Sequence, residues 1–284
     1  MEAVTRTTIA EALQWASSML SATSDSAHVD AEALLLRCLG KNRSFIYAWP
    51  ERQLTEEQYK QLQQMVARRA QGVPVAHIVG EREFWSLPFI VNESTLIPRP
   101  DTEILVETAL NLPMTDDAAV LDLGTGTGAI ALALAHERGQ WRITAVDNVG
   151  AAVELAKANR ENLNLPQVEI LKSDWFAELA GRKFQLIVSN PPYIEENDEH
   201  LALGDVRFEP RSALTAGQQG FAALFHIAEY ARDYLVPGGY LLLEHGFTQG
   251  KRMREKLNEL GYHQVATVRD FGSNERCTLG FWPG

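Results

Sequence analysis

The sequence predicts a Rossmann-like, doubly wound α/β domain with a seven-stranded sheet, preceded by a small all-α helical bundle and a β-hairpin linker. Three observations carry this prediction: helical periodicity in the first seventy residues or so, helix breakers at Gly72 and Pro74, and short apolar strands alternating with helices beyond Ala118. The expected boundaries are residues 1–72 for the helical domain, 73–96 for the linker and 97–284 for the α/β domain.

The amino-terminal segment shows the spacing of amphipathic helices. Apolar residues recur at Ile9, Leu13, Ala16 and Leu20, and again at Ala31, Leu34, Leu35 and Cys38. A third helix is expected to begin after Thr55, because Thr55 and Gln58 stand three residues apart in the order of a capping box. These three helices form the predicted bundle.

Short stretches in the linker, at residues 77–79, 83–85 and 89–91, are interpreted as strands. Two prolines, Pro98 and Pro100, then stiffen a loop before a helix predicted at residues 102–110. Five buried-type strands follow at residues 119–123, 142–147, 168–172, 184–189 and 240–244. Two more, 264–269 and 278–282, lack a clear helix between them, which predicts an antiparallel pair at one sheet edge.

A glycine-rich turn follows the first of these strands and precedes an apolar helix. Its residues are Gly124, Thr125, Gly126, Thr127 and Gly128. Glycines allow a sharp turn and a close approach of ligand to backbone, as in nucleotide-binding sheets. An acidic residue, Asp147, ends the next strand, where its carboxylate can accept hydrogen bonds from ribose hydroxyls. The pattern also fits a nicotinamide dehydrogenase, although nothing else in the chain favours one.

The strand at residues 184–189 leads into Asn190, Pro191, Pro192 and Tyr193. An amide or exocyclic amine is a poor nucleophile because its lone pair is delocalised. The side-chain oxygen of Asn190 and a loop carbonyl, such as that of Pro191, can accept the two N–H bonds of such a nitrogen and orient it. The two prolines stiffen these acceptors, and Tyr193 offers a flat face for stacking. The segment therefore predicts methyl transfer to a planar nitrogen.

Bulk composition disfavours several other functions. The net charge of -11 disfavours nucleic acid as a partner, and the basic runs at Arg68–Arg69 and at Lys251, Arg252 and Arg254 are interpreted as solvated helix faces. Two cysteines and seven scattered histidines give no metal site, and the absence of a secretory segment or a bilayer-length apolar run predicts a cytoplasmic protein without a membrane partner.

Over essentially its whole length, the chain resembles the protein-glutamine methyltransferases that modify the Gly-Gly-Gln motif of class I peptide chain release factors. The resemblance is carried by residues 190–193, by residues 122–128 and by residues 97–103, where Pro-Asp-Thr-Glu follows the first proline-arginine pair. Related enzymes that methylate a ribosomal protein share the Asn-Pro-Pro-Tyr segment but resemble the chain less after that pair.

The resemblance implies a substrate-docking helical domain, a hairpin linker and a seven-stranded S-adenosylmethionine-dependent methyltransferase domain. It implies that residues 124–128 line the cofactor site, Asp147 binds the ribose, Trp175 flanks the adenine, and Asn190, Pro191, Pro192 and Tyr193 hold the glutamine. Asn190 is expected to face the cofactor as well. No role follows for residues 208–210 or 270–276.

Three alternatives remain open at the level of sequence. A nucleic-acid amino methyltransferase acting on adenine or guanine faces the same chemical problem, although it needs a basic footprint. A ribosomal-protein glutamine methyltransferase shares the same motif. A binding module with a vestigial catalytic loop requires no chemistry at all.

Overall fold

A computed structural model describes residues 4–284, with side chains described from Arg6 onward. Its contacts divide the chain into two compact units. The first comprises the described residues up to Glu81 together with residues 202–208, and the second comprises residues 82–201 and 209–284. The seven-stranded sheet belongs entirely to the second unit.

The first unit is a helical bundle with one small sheet. Its elements are β1 (Val4–Thr8), α1 (Ile9–Leu20), α2 (Ala27–Leu39), α3 (Arg43–Ala48), β2 (Gln53–Thr55), α4 (Glu56–Ala70) and α5 (Val75–Val79). The predicted helix after Thr55 is confirmed: Thr55 and Gln58 form a complete capping box at the start of α4. Leu20, Leu34 and Leu62 are fully buried in the core of the bundle.

The prediction of an all-α bundle was wrong in one respect, because β1 and β2 pair antiparallel. Both strands lead into helix caps: Thr8 and Thr55 have extended backbones, and each begins a capping box. A helix cap requires a non-helical, usually extended, conformation, so two neighbouring extended entries can pair with each other. Such pairing depends on tertiary contact and leaves no local pattern.

Two further expectations in this unit are corrected. Residues 77–79 are helical, within α5, because Pro74 leads the chain in with an extended backbone and Gly80 ends the turn in the left-handed region. Arg69 is not on a solvated face. Its guanidinium is largely buried and pairs with Asp30 at 2.6 Å and with Asp205 at 2.9 Å.

The second unit contains the hairpin and the α/β domain. The hairpin is β3 (Glu81–Phe84) and β4 (Leu87–Ile90), with Trp85 and Ser86 at positive φ in its two-residue turn. The following elements are α6 (Glu103–Leu110), β5 (Ala119–Leu123), α7 (Ala129–Glu137), β6 (Arg142–Asp147), α8 (Gly150–Asn162), β7 (Glu169–Lys172), β8 (Phe184–Ser189), α9 (Arg211–Leu214), α10 (Ala222–Tyr230), β9 (Leu235–Glu244), α11 (Gly250–Glu259), β10 (His263–Arg269) and β11 (Glu275–Trp282). Short 3-10 helices lie at Pro100–Thr102, Glu199–Ala202 and Ala231–Asp233, and a fourth, Gly204–Phe208, belongs to the first unit.

Seven strands form one sheet, as the sequence predicts, and the structure places them in the order β10-β11-β9-β8-β5-β6-β7. Strands β5 to β9 run parallel, and β11 is antiparallel to both of its neighbours. Two apolar clusters cover the two faces of the sheet, one including α6, α7 and α8 and the other α10 and α11. The carboxyl ends of β5, β6, β8 and β9 share one edge, where ligands bind in open α/β sheets.

In the part of the chain that the structure describes, every helix is too short or too polar to cross a bilayer.

Candidate active site

The turn between β5 and α7 is built from glycines with left-handed backbones. Gly124 has φ +70° and Gly128 has φ +84°. A Cβ at Gly128 would lie 3.0 Å from Leu132 and 3.3 Å from Ala156, so a larger residue would meet both conformational and steric cost. The backbone N–H groups of Gly124 and Thr125 both donate to the carbonyl of Val146, which ties the turn to β6.

Asp122, in β5, holds this turn in place through hydrogen bonds. Its fully buried carboxylate accepts hydrogen bonds from the Thr125 hydroxyl at 2.6 Å and from the Ala131 N–H at 3.3 Å. Burial raises the pKa of Asp122 to about 7, although both hydrogen bonds favour the charged form. The other oxygen, Oδ1, is buried and has no hydrogen-bond partner among the described residues.

Asp147 lies at the end of β6, as expected, and both its oxygens accept backbone hydrogen bonds. Oδ2 accepts from the Gly126 N–H at 2.9 Å and Oδ1 from the Val149 N–H at 2.9 Å. An ionised carboxylate has about four acceptor sites, so capacity remains for a ligand's hydroxyls. These bonds fix the carboxylate against the glycine turn.

A cavity opens at this edge of the sheet and has an empty volume of about 970 Å³, part of it open to solvent. Its wall combines residues from the glycine turn, the loop before α6 and the loops after β6, β7 and β8. The lining residues are Phe84, Ser94, Thr95, Leu96, Pro98, Arg99, Thr102, Gly124, Thr125, Gly126, Thr127, Ala129, Ile130, Asp147, Asn148, Val149, Ala152, Ser173, Trp175, Asn190, Pro192, Ser212 and Ala213. A mostly apolar wall with a few fixed polar groups is typical of sites for small molecules.

Trp175 occupies a constrained position in this wall. Its φ is +48°, and its ring would lie 3.6 Å from a Cβ placed on Gly124. That distance is an ordinary van der Waals contact, so the left-handed backbone of Gly124, with φ +70°, is what favours glycine at this position. A flat aromatic group on one side, the bare turn on another and the Asp147 carboxylate match an adenosine moiety in shape and in hydrogen bonding.

The cavity brings together Asn190 and Pro192 from the four residues after β8. The Asn190 Nδ2 donates to the Thr102 hydroxyl at 3.2 Å, which leaves Oδ1 as the amide's available acceptor. Tyr193 does not line the cavity. Its hydroxyl donates to Glu244 Oε1 at 3.2 Å, so the expected stacking role of its ring stays a prediction.

Beneath this segment lies a cluster of buried charges that the sequence did not reveal. Glu244, at the end of β9, is almost fully buried, and this burial raises its pKa to about 7. Burial and the adjacent Glu244 carboxylate raise the pKa of Tyr193. Arg276 from β11 also faces Glu244 and Tyr193, and its Nη2 pairs with Asp270 at 2.8 Å and with Asp101 at 3.1 Å. Residues 270–276 thereby acquire a structural role.

Glu209 explains the second segment for which the sequence offered no role. Its buried carboxylate accepts the Ile97 N–H at 3.1 Å and an Arg99 guanidinium N–H at 2.6 Å. Arg99 lines the cavity, so Glu209 holds the proline-rich loop in place at the cavity wall. Glu209 lies more than a hundred positions from both Ile97 and Arg99 in sequence, which hides the contact from any local pattern.

Among the described residues, no group of three or more His, Cys, Asp or Glu side chains is arranged to hold a metal ion.

Comparison with known proteins gives consistent findings for both units. Two family models match: the PrmC N-terminal domain over residues 11–80 and the methyltransferase small domain over residues 100–217. A release factor glutamine methyltransferase of Shewanella oneidensis is 71% identical over 276 residues, covering 97% of this chain and 96% of that protein. A release factor glutamine methyltransferase of Escherichia coli is 55% identical over 257 residues, covering 90% of this chain and 93% of that protein.

Solved structures support the fold. A methyltransferase from Pyrococcus furiosus superposes with a TM-score of 0.53 at 21% identity, covering 76% of this chain and 96% of that one. At this level of identity the match supports the fold alone.

Proposed function

Because the chain belongs to the family of release factor glutamine methyltransferases, we propose that it transfers a methyl group from S-adenosylmethionine to the side-chain N5 of a glutamine. The acceptor is the glutamine of the Gly-Gly-Gln motif in class I peptide chain release factors, and the modification supports translation termination. The enzyme then acts in the cytoplasm. The observation that carries the proposal is the position of Asn190 on the cavity wall, with its Nδ2 engaged and its Oδ1 available.

The glycine turn and the two residues beside it form the proposed cofactor site. Residues 124–127 line the cavity and are assigned to close backbone contact with the cofactor, Asp147 to the ribose hydroxyls and Trp175 to the adenine. Gly128, the remaining residue of the predicted set, does not line the cavity and serves the turn itself. Asn190 borders both this site and the acceptor site. The fixed Asp147 carboxylate and the bare surface at Gly124 support this assignment.

Asn190, Pro191, Pro192 and Tyr193 form the proposed acceptor site. Asn190 Oδ1 accepts one N–H bond of the glutamine amide and a loop carbonyl, that of Pro191, accepts the other. Accepting both bonds holds the nitrogen in one orientation and stabilises the positive charge that develops as it reacts. The two prolines limit backbone motion, so this arrangement exists before the substrate arrives.

S-adenosylmethionine supplies an electrophilic methyl group when it is bound. The chain contributes position and electrostatics: it aligns the nitrogen, excludes water with an apolar wall and offers acceptors to the reacting amide. Among the described residues, Asp147 is the one carboxylate on the cavity wall and is assigned to the ribose hydroxyls, so we propose that the displaced proton passes to solvent during or after transfer.

The first unit, residues 4–81 and 202–208, is proposed to help dock the protein substrate. With a net charge of -11, the chain is poorly suited to bind long nucleic acid. We therefore propose direct recognition of a release factor without nucleic acid as an intermediary.

The decisive experiment measures transfer of radiolabelled methyl from S-adenosylmethionine to a purified class I release factor. A matched acceptor carries alanine in place of the Gly-Gly-Gln glutamine, and DNA, RNA and ribosomal protein are tested separately. Label on the first acceptor and none on its alanine counterpart supports the proposal. Label on nucleic acid or ribosomal protein alone transfers the assignment to that acceptor, and no label on any acceptor overturns the enzymatic assignment.

A further inference from the structure

We propose that Gln249 is a positioning residue for methyl transfer: its side-chain amide holds the main-chain carbonyl of Tyr193 and so fixes the acceptor segment, residues 190–193, at the edge of the cavity. The inference rests on the proposed function and deepens it. Gln249 lies just before α11, is buried and does not line the cavity. It can therefore influence the reacting amide only through the segment that it holds.

The acceptor segment needs anchors outside itself. Its two central residues, Pro191 and Pro192, have no backbone N–H, so neither can tie the segment to a neighbouring strand through a donor. The first residue is held through its side chain, because Asn190 Nδ2 donates to the Thr102 hydroxyl at 3.2 Å. The main chain at the other end of the segment, at Tyr193, requires an anchor of its own.

Gln249 supplies this anchor. Its Nε2 donates to the Tyr193 carbonyl at 3.1 Å, while its Oε1 accepts the Gly246 N–H at 2.8 Å. A backbone N–H can only donate and a backbone carbonyl can only accept, so these two partners determine which way the amide faces. One side chain thus ties the end of the acceptor segment to the turn that follows β9.

Two glycines leave the space for this contact. A Cβ at Gly220, which has φ +83°, would lie 2.1 Å from the Tyr193 carbonyl oxygen and 2.9 Å from Gln249 Nε2. A Cβ at Gly246 would lie 3.1 Å from Gln249 Oε1. A side chain at Gly220 would therefore displace the carbonyl from the amide. The surroundings are shaped around the hydrogen bond between Gln249 and Tyr193.

The stiffness of the segment carries the effect of this anchor towards Asn190. The rings of Pro191 and Pro192 fix φ at about −65°, so few backbone torsions remain free between Tyr193 and Asn190. Fixing the Tyr193 carbonyl therefore limits the directions in which the Pro191 carbonyl can point. That carbonyl is the second acceptor proposed for the glutamine amide, and a displacement of about 1 Å in such a group can cost about a hundredfold in rate.

The first test removes both hydrogen bonds of the side chain and keeps its approximate volume. Gln249→Met should slow single-turnover methyl transfer to a full-length release factor by about 10- to 100-fold, at saturating concentrations of both substrates. Its dissociation constant for S-adenosylmethionine, measured by calorimetry, should change less than about twofold, because the cofactor site is not touched. A general loss of structure would instead weaken both.

A second variant makes the anchor depend on pH. In Gln249→Glu, a protonated carboxyl group can donate to the Tyr193 carbonyl and accept the Gly246 N–H, as the amide does, whereas the ionised carboxylate can only accept and so opposes the carbonyl oxygen. Burial raises the pKa of such a carboxyl group, which brings its titration towards neutrality. The rate relative to wild type should be within about threefold at about pH 5.5 and should fall at least about tenfold further by about pH 8.5.

Dividing the variant rate by the wild-type rate at each pH removes the contribution of native groups that titrate in both proteins. The neighbouring groups are Tyr193, its partner Glu244, His245 beside Gly246, and the ion pair of Arg254 and Glu275 beside Gly250. Gln140→Glu is the matched control, because it makes the same substitution on an exposed residue before β6, at the opposite end of the strands from the cavity. Its relative rate should stay constant with pH.

The proposal is overturned if Gln249→Met transfers methyl within about twofold of wild type, or if the relative rate of Gln249→Glu does not change with pH. If Gln249→Met fails to fold, the pH profile of Gln249→Glu decides alone, with its folding checked by circular dichroism at both pH limits. Failure of the wild-type enzyme to label the release factor would instead refute the proposed function, so the two failures are distinguishable.

Discussion

Asn159 joins the hairpin to the glycine turn and should be among the most important polar residues for stability. It lies in α8 and is fully buried. Its Oδ1 accepts the Ile90 N–H at 2.7 Å, while Nδ2 donates to the Ile90 carbonyl at 3.0 Å and to the Thr127 carbonyl at 2.9 Å. Removing this one side chain leaves three backbone groups without their partner.

The expected cost of Asn159→Ala follows from these contacts. An unsatisfied buried group costs about 1–3 kcal/mol. The Thr127 carbonyl is counted in full because Thr127 is buried, and the two Ile90 groups are counted at about half because Ile90 is 38% exposed and can be rehydrated. The sum is a loss of roughly 2–6 kcal/mol in the free energy of unfolding.

Urea-induced unfolding measures this loss. Asn162→Ala is the matched control, since Asn162 lies on the same helix but is exposed and reaches the Pro88 carbonyl only at 3.5 Å. It should change the free energy of unfolding by less than about 0.5 kcal/mol. An Asn159→Ala loss under about 1 kcal/mol, or one equal to the control, would refute the reasoning.

Three other predictions test the site. Asn190→Ala should reduce the rate of methyl transfer by about 10²–10³, equivalent to about 2.7–4 kcal/mol, with a far smaller change in the dissociation constant for S-adenosylmethionine, because the bond to Asn190 strengthens as charge develops. Glu209→Ala should lower the free energy of unfolding, measured by calorimetry, by about 3–5 kcal/mol. The loss should fall near the lower end of this range because Arg99 is partly hydrated. The control Glu93→Ala, on the exposed loop, should leave the free energy of unfolding unchanged. For Asp122, whose pKa is raised in the folded state, protonation favours folding; wild-type stability relative to Asp122→Asn should therefore fall in urea unfolding as pH rises from about 4 to about 7.

Each of these has an outcome that contradicts it. A transfer rate within a few-fold of wild type would remove Asn190 from the mechanism. Equal stability of the Glu209 and Glu93 variants would mean that the loop contact contributes nothing. A difference between wild type and Asp122→Asn that stays constant with pH would show that Asp122 does not titrate as described.

Local patterns were sufficient for most of the α/β domain. The capping box at Thr55, the glycine turn and the acidic end of β6 each occupy a short window of sequence, and each lies where its pattern predicts. Strand ends differed by only a few residues, except that β9 begins at Leu235, five residues before the predicted 240. Hydrophobic periodicity predicts a buried strand well, because the neighbouring strands of the sheet are buried too and require apolar side chains beside them.

Long-range contacts were out of reach of the sequence. Glu244, Arg276 and Glu209 derive their surroundings from segments distant in the chain, and no local spacing signals which carboxylate meets which guanidinium. The short helix α5 was mistaken for a strand because three residues cannot distinguish the two periods. The cavity role of Asn190 was predicted, whereas the role of Thr102 in holding it was not.

The position of β11 has a consequence for how the chain assembles. It follows β10 in sequence but lies between β10 and β9 in the sheet. During synthesis, the edge of β9 therefore stays unpaired until residues 275–282 have emerged, and β10 has no strand to join before then. An exposed strand edge readily pairs with other chains. The nascent protein thus depends on its most distal strand both to protect that edge and to deliver Arg276 beneath the acceptor loop, so the sheet and the complete active site can mature only together.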